Sequence, residues 1–311
     1  MLRLIVLGSA AGGGFPQWNS NDAASQRARA GDPQALPRSQ ASLAVTADDR
    51  RWVILNASPD LRQQINDTPA LHPRHGKRDS PIAAVVLTGG DIDNIAGLLT
   101  LRESHPLALY ATARILAILA ANSVFNVLDP RFVARRAMAL DAGFEVADRD
   151  GRGLGLRIEP FAVPGKVPLY AEDPTAGEGF GTQPEDTVGL KVAATDGASS
   201  CFYYVPGCAA MTPELAARLR GAPLVLFDGT LWRDDEMIAA GVGTKTGKRM
   251  GHMSIAGPDG TIAAFAPLGV ARKIFIHVNN TNPVLLGDTP ERAEAAAAGW
   301  EVAHDGLEIR L

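Results

Sequence analysis

Residues 85–103 read VVLTGGDIDNIAGLLTLRE and predict a buried strand that leads into an amphipathic helix. The turn between the two carries Asp91, Asp93 and Asn94. Short polar side chains at the carboxyl end of a strand suit a metal site. They suit a helix cap equally well, because a carboxylate there accepts hydrogen bonds from the first free amides. This turn alone leaves both interpretations open.

Apolar segments with strand character recur along the chain, and helical patterns separate several of them. The predicted strands are residues 4–7, 42–45, 52–56, 83–88, 107–110, 158–163, 187–193, 202–205, 224–228 and 273–278. The predicted helices are residues 95–103, 111–121, 213–220 and 290–298. Strands that alternate with helices predict an α/β fold.

The composition of the 311-residue chain is that of a globular protein in water. Hydrophobic residues make up 46% and the formal net charge is -4, which gives no attraction to nucleic acid or to an anionic membrane. No apolar stretch reaches the roughly 18–20 residues that span a bilayer. Cys201 and Cys208 cannot form a disulfide framework, which fits a reducing compartment. We expect a cytoplasmic protein with a small-molecule substrate and no nucleic-acid or membrane partner.

Two further predicted strands end in residues that bind metals. Residues 224–228 end at Asp228, and the last predicted strand reaches His277; a third candidate, His252, follows a glycine in RMGHMSI. Ligands in α/β sheets gather at the carboxyl ends of strands, so these side chains and the turn at residues 91–94 are expected to meet. Each also has a structural alternative, since Asp228 suits a turn before a glycine and a single histidine is often structural.

The donor types indicate which ion such a site would hold. Carboxylates and two imidazoles form an oxygen-rich set without thiolates, which suits Fe(II) or Mn(II) better than a thiolate-built zinc site. Catalytic zinc also accepts histidine and aspartate. We expect Fe(II), with manganese and zinc as alternatives.

Two glycine-rich segments resemble nucleotide-binding motifs, but the residues around them do not match those motifs. The segment GSAAGGG follows the first strand, but FPQW stands where the helix of a dinucleotide fold should begin. The segment GVGTKTGKR, residues 241–249, resembles a phosphate-binding loop, yet Arg249 occupies the position of the magnesium-binding Ser or Thr. Lys245, Lys248 and backbone amides there remain candidates for binding an anion.

Two segments predict little regular structure. Residues 22–38 are rich in Ala, Arg and Gln, and residues 172–186 are dense in Gly, Pro and acidic residues. We expect the first to be mobile and the second to be an exposed loop. For the loop, a lid over a binding site and a solvated insertion are equally compatible with the sequence.

Nine motifs in fixed order resemble the pyrroloquinoline quinone biosynthesis protein B family of the metallo-β-lactamase superfamily. They are LGSAAGGGFPQWN, ILNASPDLRQQI, LTGGDIDNIAGLLTLRE, VPGKVPLY, YYVPGC, LFDGTLWRDDEMI, GVGTKTGKRMGHMSI, HVNNTNPVL and AHDGLEI. The resemblance covers essentially the whole chain. It implies a single domain over residues 1–311 with a four-layer αβ/βα sandwich and a metal site at one edge.

The resemblance also implies a ligand set. The superfamily signature His-x-His-x-Asp-His falls on Gly89, Asp91, Asp93 and Asn94. Proteins of this family usually keep the last histidine, where this chain has Asn94. An asparagine carbonyl binds a hard cation more weakly than imidazole binds iron or zinc, so we expect reduced metal affinity.

A second departure from the family lies near the N-terminus. The family resemblance implies a zinc knuckle built from three cysteines, but here the positions are Ser20, Asp22 and Ser25. Serine hydroxyls do not replace thiolates on zinc. We therefore expect no structural zinc, and a segment that is either held by packing or mobile.

The family implies a role in making the redox cofactor pyrroloquinoline quinone. One reading is an iron-dependent, oxygen-using hydroxylase of the tyrosine ring of a Glu-Tyr-derived precursor, alongside other proteins of the pathway. Its metal ligands would come from Asp91, Asp93, Asn94, Asp228, His252 and His277. Its substrate carboxylates would bind Lys245, Lys248, Arg249, the amides around Gly251, Asn279 and Asn280.

Two other functions compete with this one. A carrier that helps move the quinone or its precursor to the periplasm would need the pocket without the chemistry, which the departure at Asn94 allows. Hydrolysis in the manner of ordinary β-lactamases ranks lowest, because Gly89, Asp91 and Asn94 replace histidines that hold the two zinc ions.

Overall fold

The structure is a computed structural model that describes residues 2–177, 179–196 and 200–311. Within these residues the strands form two seven-stranded sheets. The first contains β1 (Arg3–Gly8), β2 (Ser42–Thr46), β3 (Trp52–Leu55), β4 (Ile82–Val86), β5 (Leu107–Thr112), β6 (Val133–Met138) and β14 (Glu308–Arg310). The second contains β7 (Phe144–Ala147), β8 (Gly153–Ala162), β9 (Val188–Ala194), β10 (Cys201–Val205), β11 (Leu224–Asp228), β12 (Arg272–Ile276) and β13 (Trp300–Val302).

Short helices cover the outer faces of these sheets. They are α1 (Ala23–Arg29), α2 (Leu61–Asp67), α3 (Ile92–Ile95), α4 (Ala113–Ala121), α5 (Pro213–Leu219), α6 (Glu236–Ala239), α7 (Gly247–Met250), α8 (Thr261–Phe265) and α9 (Pro290–Ala297). Threonine or aspartate side chains accept an amide hydrogen bond at the start of five of them. Within the described residues, no helix is long and apolar enough to cross a membrane.

Alternating side chains along the strands create three apolar cores. In β11, Leu224 and Leu226 point into the core between the two sheets, whereas Val225 and Phe227 pack under helices on the outside. Successive side chains of a strand face opposite sides, so a strand buried on both faces reads as a continuous apolar run. A third core lies between the first sheet and its own helices. This arrangement confirms the predicted α/β four-layer sandwich.

Each sheet is antiparallel in one half and parallel in the other. Strands β3 to β6 run parallel in the first sheet, and β10 to β13 run parallel in the second. The isolated bridges Gly89↔Thr187 and Ala10↔Val278 join the segments that leave these strands. The strand ends that carry the predicted ligands therefore meet at one edge of the sandwich.

The structure adds strands that the sequence pattern does not predict. Strand β6 contains Arg135 and Arg136, which break its apolar run, and lies at a sheet edge. Strands β13 and β14 have only three residues each, too few for a periodic signal. Strand β7 is a four-residue segment with a half-buried face.

The segment at residues 22–38 is held in place rather than mobile, which corrects that expectation. Asp22 caps α1, and Arg27 forms ion pairs with Asp32 (2.6 Å) and Asp288 (2.8 Å). These contacts tie the segment to the chain near α9. Composition alone does not reveal them, because Asp288 lies far away in sequence.

Candidate metal centre

A cavity of about 810 Å³ lies at the edge of the sandwich where β4, β11 and β12 end. Most of the predicted site residues line it: Asp91, Asp93, Asn94, Lys245, Arg249, Gly251, His252, His277 and Asn279. Three others lie outside its lining. Asp228 is fully buried beneath it, the exposed Lys248 donates its backbone amide to Asp234, and the Asn280 amide donates to Gln17.

Asp93 and His277 join the two sheets at the floor of this cavity. The Nε2 atom of His277 donates to Asp93 Oδ2 at 2.8 Å. Burial lowers the pKa of His277, but the hydrogen bond and charge of Asp93 outweigh it, so the pKa is raised. Burial raises the pKa of Asp93, and the same imidazole reverses this effect, so its pKa is lowered. Both partners are thus stabilised in their charged forms.

The backbone of His277 is strained. Its φ angle is 60°, in the left-handed region that a residue with a Cβ atom seldom adopts. The conformation costs of the order of 1 kcal/mol or more and persists where surrounding contacts enforce it. Here the His277 carbonyl oxygen lies 2.9 Å from the Thr230 hydroxyl oxygen. The strain turns the imidazole from the end of β12 toward Asp93.

Asp228 lies below the cavity, and each of its carboxylate oxygens accepts two hydrogen bonds. Its Oδ1 accepts the amide and the hydroxyl of Thr230 at 3.0 and 2.6 Å. Its Oδ2 accepts the Cys208 amide at 2.8 Å and His252 Nδ1 at 2.7 Å. Asp228 therefore stabilises the turn before Thr230, as its residue type suggests, and also contacts the candidate ligand His252.

Thr230 is the residue of the site that the sequence interpretation missed. Its Oγ1 lies 2.8 Å from His277 Nδ1 and 3.1 Å from His252 Nδ1. A hydroxyl has one hydrogen, which the shortest contact directs to Asp228, so the oxygen accepts from the imidazoles. Threonine two residues after aspartate is an ordinary turn pattern, and only the fold places it between two histidines.

The donor set fits a divalent ion. Asp228, His252 and His277 offer one ligand atom each within 4.8 Å of one another, and Asp93 lies directly beside His277. Two imidazoles with carboxylates match the preferences of iron, manganese and catalytic zinc. Among the described residues, the Nε2 atom of His252 has no protein hydrogen-bond partner. It is therefore available as a ligand while Nδ1 is held by Asp228.

The turn at residues 91–94 does not act as a side-chain cap through its first aspartate. Asp91 occupies the position before α3 but makes no capping hydrogen bond, and its Oδ1 lies 3.5 Å from Lys166 Nζ. Asn94 folds back beside Gly89, where an added Cβ atom would lie 2.9 Å from its Nδ2. The missing side chain at Gly89 thus makes room for Asn94.

The rim of the cavity is positively charged and partly covered by residues 166–172. Tyr170 donates its hydroxyl to the Gly90 carbonyl at 2.5 Å. Burial and the nearby charge of Asp91 raise the pKa of Tyr170 to about 12, so it stays a donor. Arg249 binds both oxygens of Glu172, at 3.0 and 2.8 Å, and stacks 3.9 Å above Phe180.

The loop at residues 172–186 is therefore anchored at both ends, although its described middle is mostly exposed. Glu172 is held by Arg249, and the buried Asp186 pairs with Arg114 at 2.5 Å. The first anchor lies on the cavity rim. The described residues of 172–186 do not themselves line the cavity, so the contacts leave a lid and a solvated insertion both open.

The positions of the family's zinc knuckle form a small hydrogen-bond cluster. Asp22 accepts the hydroxyls of Ser20 and Ser25 and, at 2.7 Å, the Ser25 amide. These groups cap α1 with oxygen atoms and contain no thiolate. That no structural zinc binds here remains a prediction, which metal analysis of the purified chain tests.

The family model described as a β-lactamase superfamily domain matches residues 51–278. A diphosphatase of the PhnP family shares the fold, with 19% sequence identity, a TM-score of 0.68, and coverage of 99% of this chain and 96% of that one. The family model's match, over residues 51–278, includes strands of both sheets and all strand ends that carry the candidate ligands.

Much closer relatives are coenzyme PQQ synthesis proteins B. One from Gluconacetobacter diazotrophicus is 60% identical over 99% of both chains, and one from Xanthomonas oryzae is 58% identical over 100% of both. The crystal structure of zinc-bound PqqB from Methylobacterium extorquens is 50% identical, with a TM-score of 0.93 over 99% of this chain and 100% of that one. The fold, the zinc-bound relative and the donor triad together indicate a divalent metal centre. The chain belongs to the coenzyme PQQ synthesis protein B family of the β-lactamase superfamily.

Proposed function

We propose that this chain acts in PQQ biosynthesis as a metal- and oxygen-dependent hydroxylase of the tyrosine ring of a Glu-Tyr-derived precursor. The observation that carries the proposal is the pairing of two imidazoles and two carboxylates at the floor of a cavity with a cationic rim. Family membership supports the pathway, and the donor set supports the type of chemistry.

Four side chains would hold the metal: Asp93, Asp228, His252 and His277. Fe(II) fits this nitrogen and oxygen set, with manganese or zinc as alternatives. When bound, iron supplies the oxygen chemistry that no amino-acid side chain provides. Thr230 and Asp228 fix both imidazole rings in one orientation, which makes the binding site rigid before the ion arrives.

The rim would orient the substrate. Lys245 lines the cavity and makes no side-chain hydrogen bond or ion pair within the described part of the chain, so its ammonium is available for a carboxylate. Arg249 has further N–H donors beside those bound to Glu172. Leu169, Tyr170 and Met237 also line the cavity and offer apolar contacts to an aromatic ring. Charge and apolar surface together suit an acidic, aromatic precursor.

The test is anaerobic loading with Fe(II), followed by metal analysis and oxygen uptake with a Glu-Tyr dipeptide. We expect one equivalent of iron and oxygen consumption that depends on both the dipeptide and an added two-electron reductant such as ascorbate, whose electrons reduce the second oxygen atom to water. The product should be heavier by one or more oxygen atoms in mass spectrometry. The Asp93→Ala variant is the matched control, since it removes a ligand and should abolish uptake.

A carrier would behave differently in the same experiment. Asn94, at a position where the family resemblance implies an imidazole ligand, is the residue that favours it, because binding of a quinone through the rim needs no metal. Iron without oxygen uptake, together with micromolar binding of PQQ by wild type and the Asp93→Ala variant alike, would identify a carrier and reject the hydroxylase.

A further inference from the structure

We propose that the Lys166 ammonium forms an ion pair with Asp91 beside the metal centre. This positive charge limits the centre to one divalent ion. The inference rests on the proposed metal centre and extends it from the identity of the ligands to the number of ions. Lys166 acts through Asp91, so it is a positioning residue.

The geometry holds the ammonium close to Asp91. Lys166 Nζ lies 3.5 Å from Asp91 Oδ1 and 3.4 Å from the Val167 carbonyl, and the side chain is 22% exposed. The Lys166 carbonyl accepts the Thr187 hydroxyl at 3.1 Å, which fixes the backbone at this point. The aliphatic stem packs over Gly251, where an added Cβ atom would lie 3.0 Å from Lys166 Cγ.

Asp91 differs from Asp93 and Asp228, the two carboxylates that would hold the single ion, because its oxygens have fewer hydrogen-bond partners. Asp93 is bonded to His277, and Asp228 accepts four hydrogen bonds. In the described part of the chain, the Asp91 carboxylate has Lys166 as its sole hydrogen-bond partner. Without that ammonium, Asp91 would be a carboxylate on the cavity wall with free lone pairs, which is a strong attraction for a second cation.

The charges of the site lead to the same conclusion. Three carboxylates, those of Asp91, Asp93 and Asp228, are balanced by one divalent ion and one ammonium. Neutralising Lys166 leaves a surplus negative charge in a partly buried site, where Coulomb attraction to a second divalent ion is much stronger than in water. The ammonium also repels a second ion directly, because both carry positive charge.

The test is a titration of metal-free protein with Mn(II), read by elemental analysis and by electron paramagnetic resonance. Wild type should bind one ion per chain and give a mononuclear signal. Lys166→Met keeps the stem over Gly251 but removes the charge, so it should bind two ions per chain with a spin-coupled signal. Lys166→Arg restores a cation and should return the protein to one ion.

The control is Lys77→Met, which removes an exposed lysine that does not line the cavity and should bind one ion like wild type. Thermal unfolding checks that every variant is folded. One ion in both wild type and Lys166→Met, or two in wild type, would overturn the role of Lys166 and leave the metal centre intact. No ion in any variant would overturn the metal centre and this inference together.

Discussion

Thr230 shows how much of the candidate centre depends on one small side chain. Its hydroxyl contacts Asp228, His252 and His277 at once, so it holds the Nδ1 side of both imidazole rings and directs their Nε2 atoms away from Thr230. Loss of a group that orients a metal ligand from behind typically lowers metal affinity about 10- to 100-fold. At the residue scale, Thr230 therefore organises the site although it binds no ion.

Replacing Thr230 with valine keeps the shape of the side chain and removes the hydroxyl. We expect the affinity for Mn(II) to fall roughly tenfold or more, because the imidazoles lose their common partner. The free energy of unfolding should fall by about 1–3 kcal/mol, since buried polar groups lose a hydrogen bond. Calorimetric metal titration and urea unfolding measure the two effects.

The matched control for this change is Thr230→Ser, which retains the hydroxyl. It should keep most of the metal affinity. If Thr230→Val and Thr230→Ser bind Mn(II) equally well, the hydroxyl does not orient the ligands.

Asn94 offers a second test at the residue scale. Asn94→His introduces an imidazole into the space beside Gly89, next to the candidate ligands. We expect metal affinity to rise by about tenfold or more, or about 1.4 kcal/mol in binding free energy, because imidazole binds iron and zinc better than an amide does. Competition with a fluorescent chelator measures the change.

Asn94→Gln keeps the amide and serves as the control for the change in size. Equal affinities of wild type, Asn94→His and Asn94→Gln would place residue 94 outside the set of ligands.

At the scale of elements, the segment between β13 and β14 braces the opposite side of the cavity. The half-buried Asp305 accepts the Ser9 hydroxyl at 2.9 Å and the Ser39 amide and hydroxyl at 2.6 and 2.7 Å. These contacts join the loop after β1 to the approach to β2. The same two segments supply Ala11 and Gln40 to the cavity wall.

Removing this brace should destabilise the protein. In Asp305→Ala the hydroxyl of the buried Ser9 and the amide and hydroxyl of the half-buried Ser39 lose their acceptor, and we expect a loss of about 1–3 kcal/mol in the free energy of unfolding. Urea unfolding monitored by circular dichroism tests this. The control is Asp259→Ala, an exposed position that should shift stability by less than about 0.5 kcal/mol. Equal effects of the two changes would contradict the bracing role.

At the scale of the whole molecule, the candidate centre connects the two sheets. Asp93 follows a strand of the first sheet, whereas Asp228 and His277 end strands of the second. An ion shared between them exists only while the sheets are packed. Metal binding is therefore linked to the stability of the sandwich.

Metal removal should lower the thermal stability of the whole chain. At a free ion concentration about 100 times the dissociation constant, one bound ion adds about 2.7 kcal/mol to the free energy of unfolding. Differential scanning calorimetry with chelator and with added Mn(II) should show this as a higher unfolding temperature with metal. His277→Ala should lose the shift; a shift of the same size in that variant would place the binding elsewhere.

The local pattern of residues was sufficient to predict the layers and most of the strands. Apolar runs of strand length and caps before helices act over neighbouring residues, so they are visible without the fold. They also placed Asp91, Asp93, Asp228 and His277 at or near strand ends, which the structure confirms. The short edge strands were missed because three or four residues carry no periodic signal.

The amino-acid sequence by itself determined the fold class and the chemical types available at the strand ends, because both follow from local patterns. The tertiary structure alone decided how those groups pair. Asp93 and His277 are 184 residues apart in the chain yet share a hydrogen bond. It also brought Thr230 between the imidazoles, set Lys166 beside Asp91, and left Lys248 and Asn280 outside the cavity lining. Contacts between distant residues depend on the packing of the two sheets, and no local pattern encodes that packing.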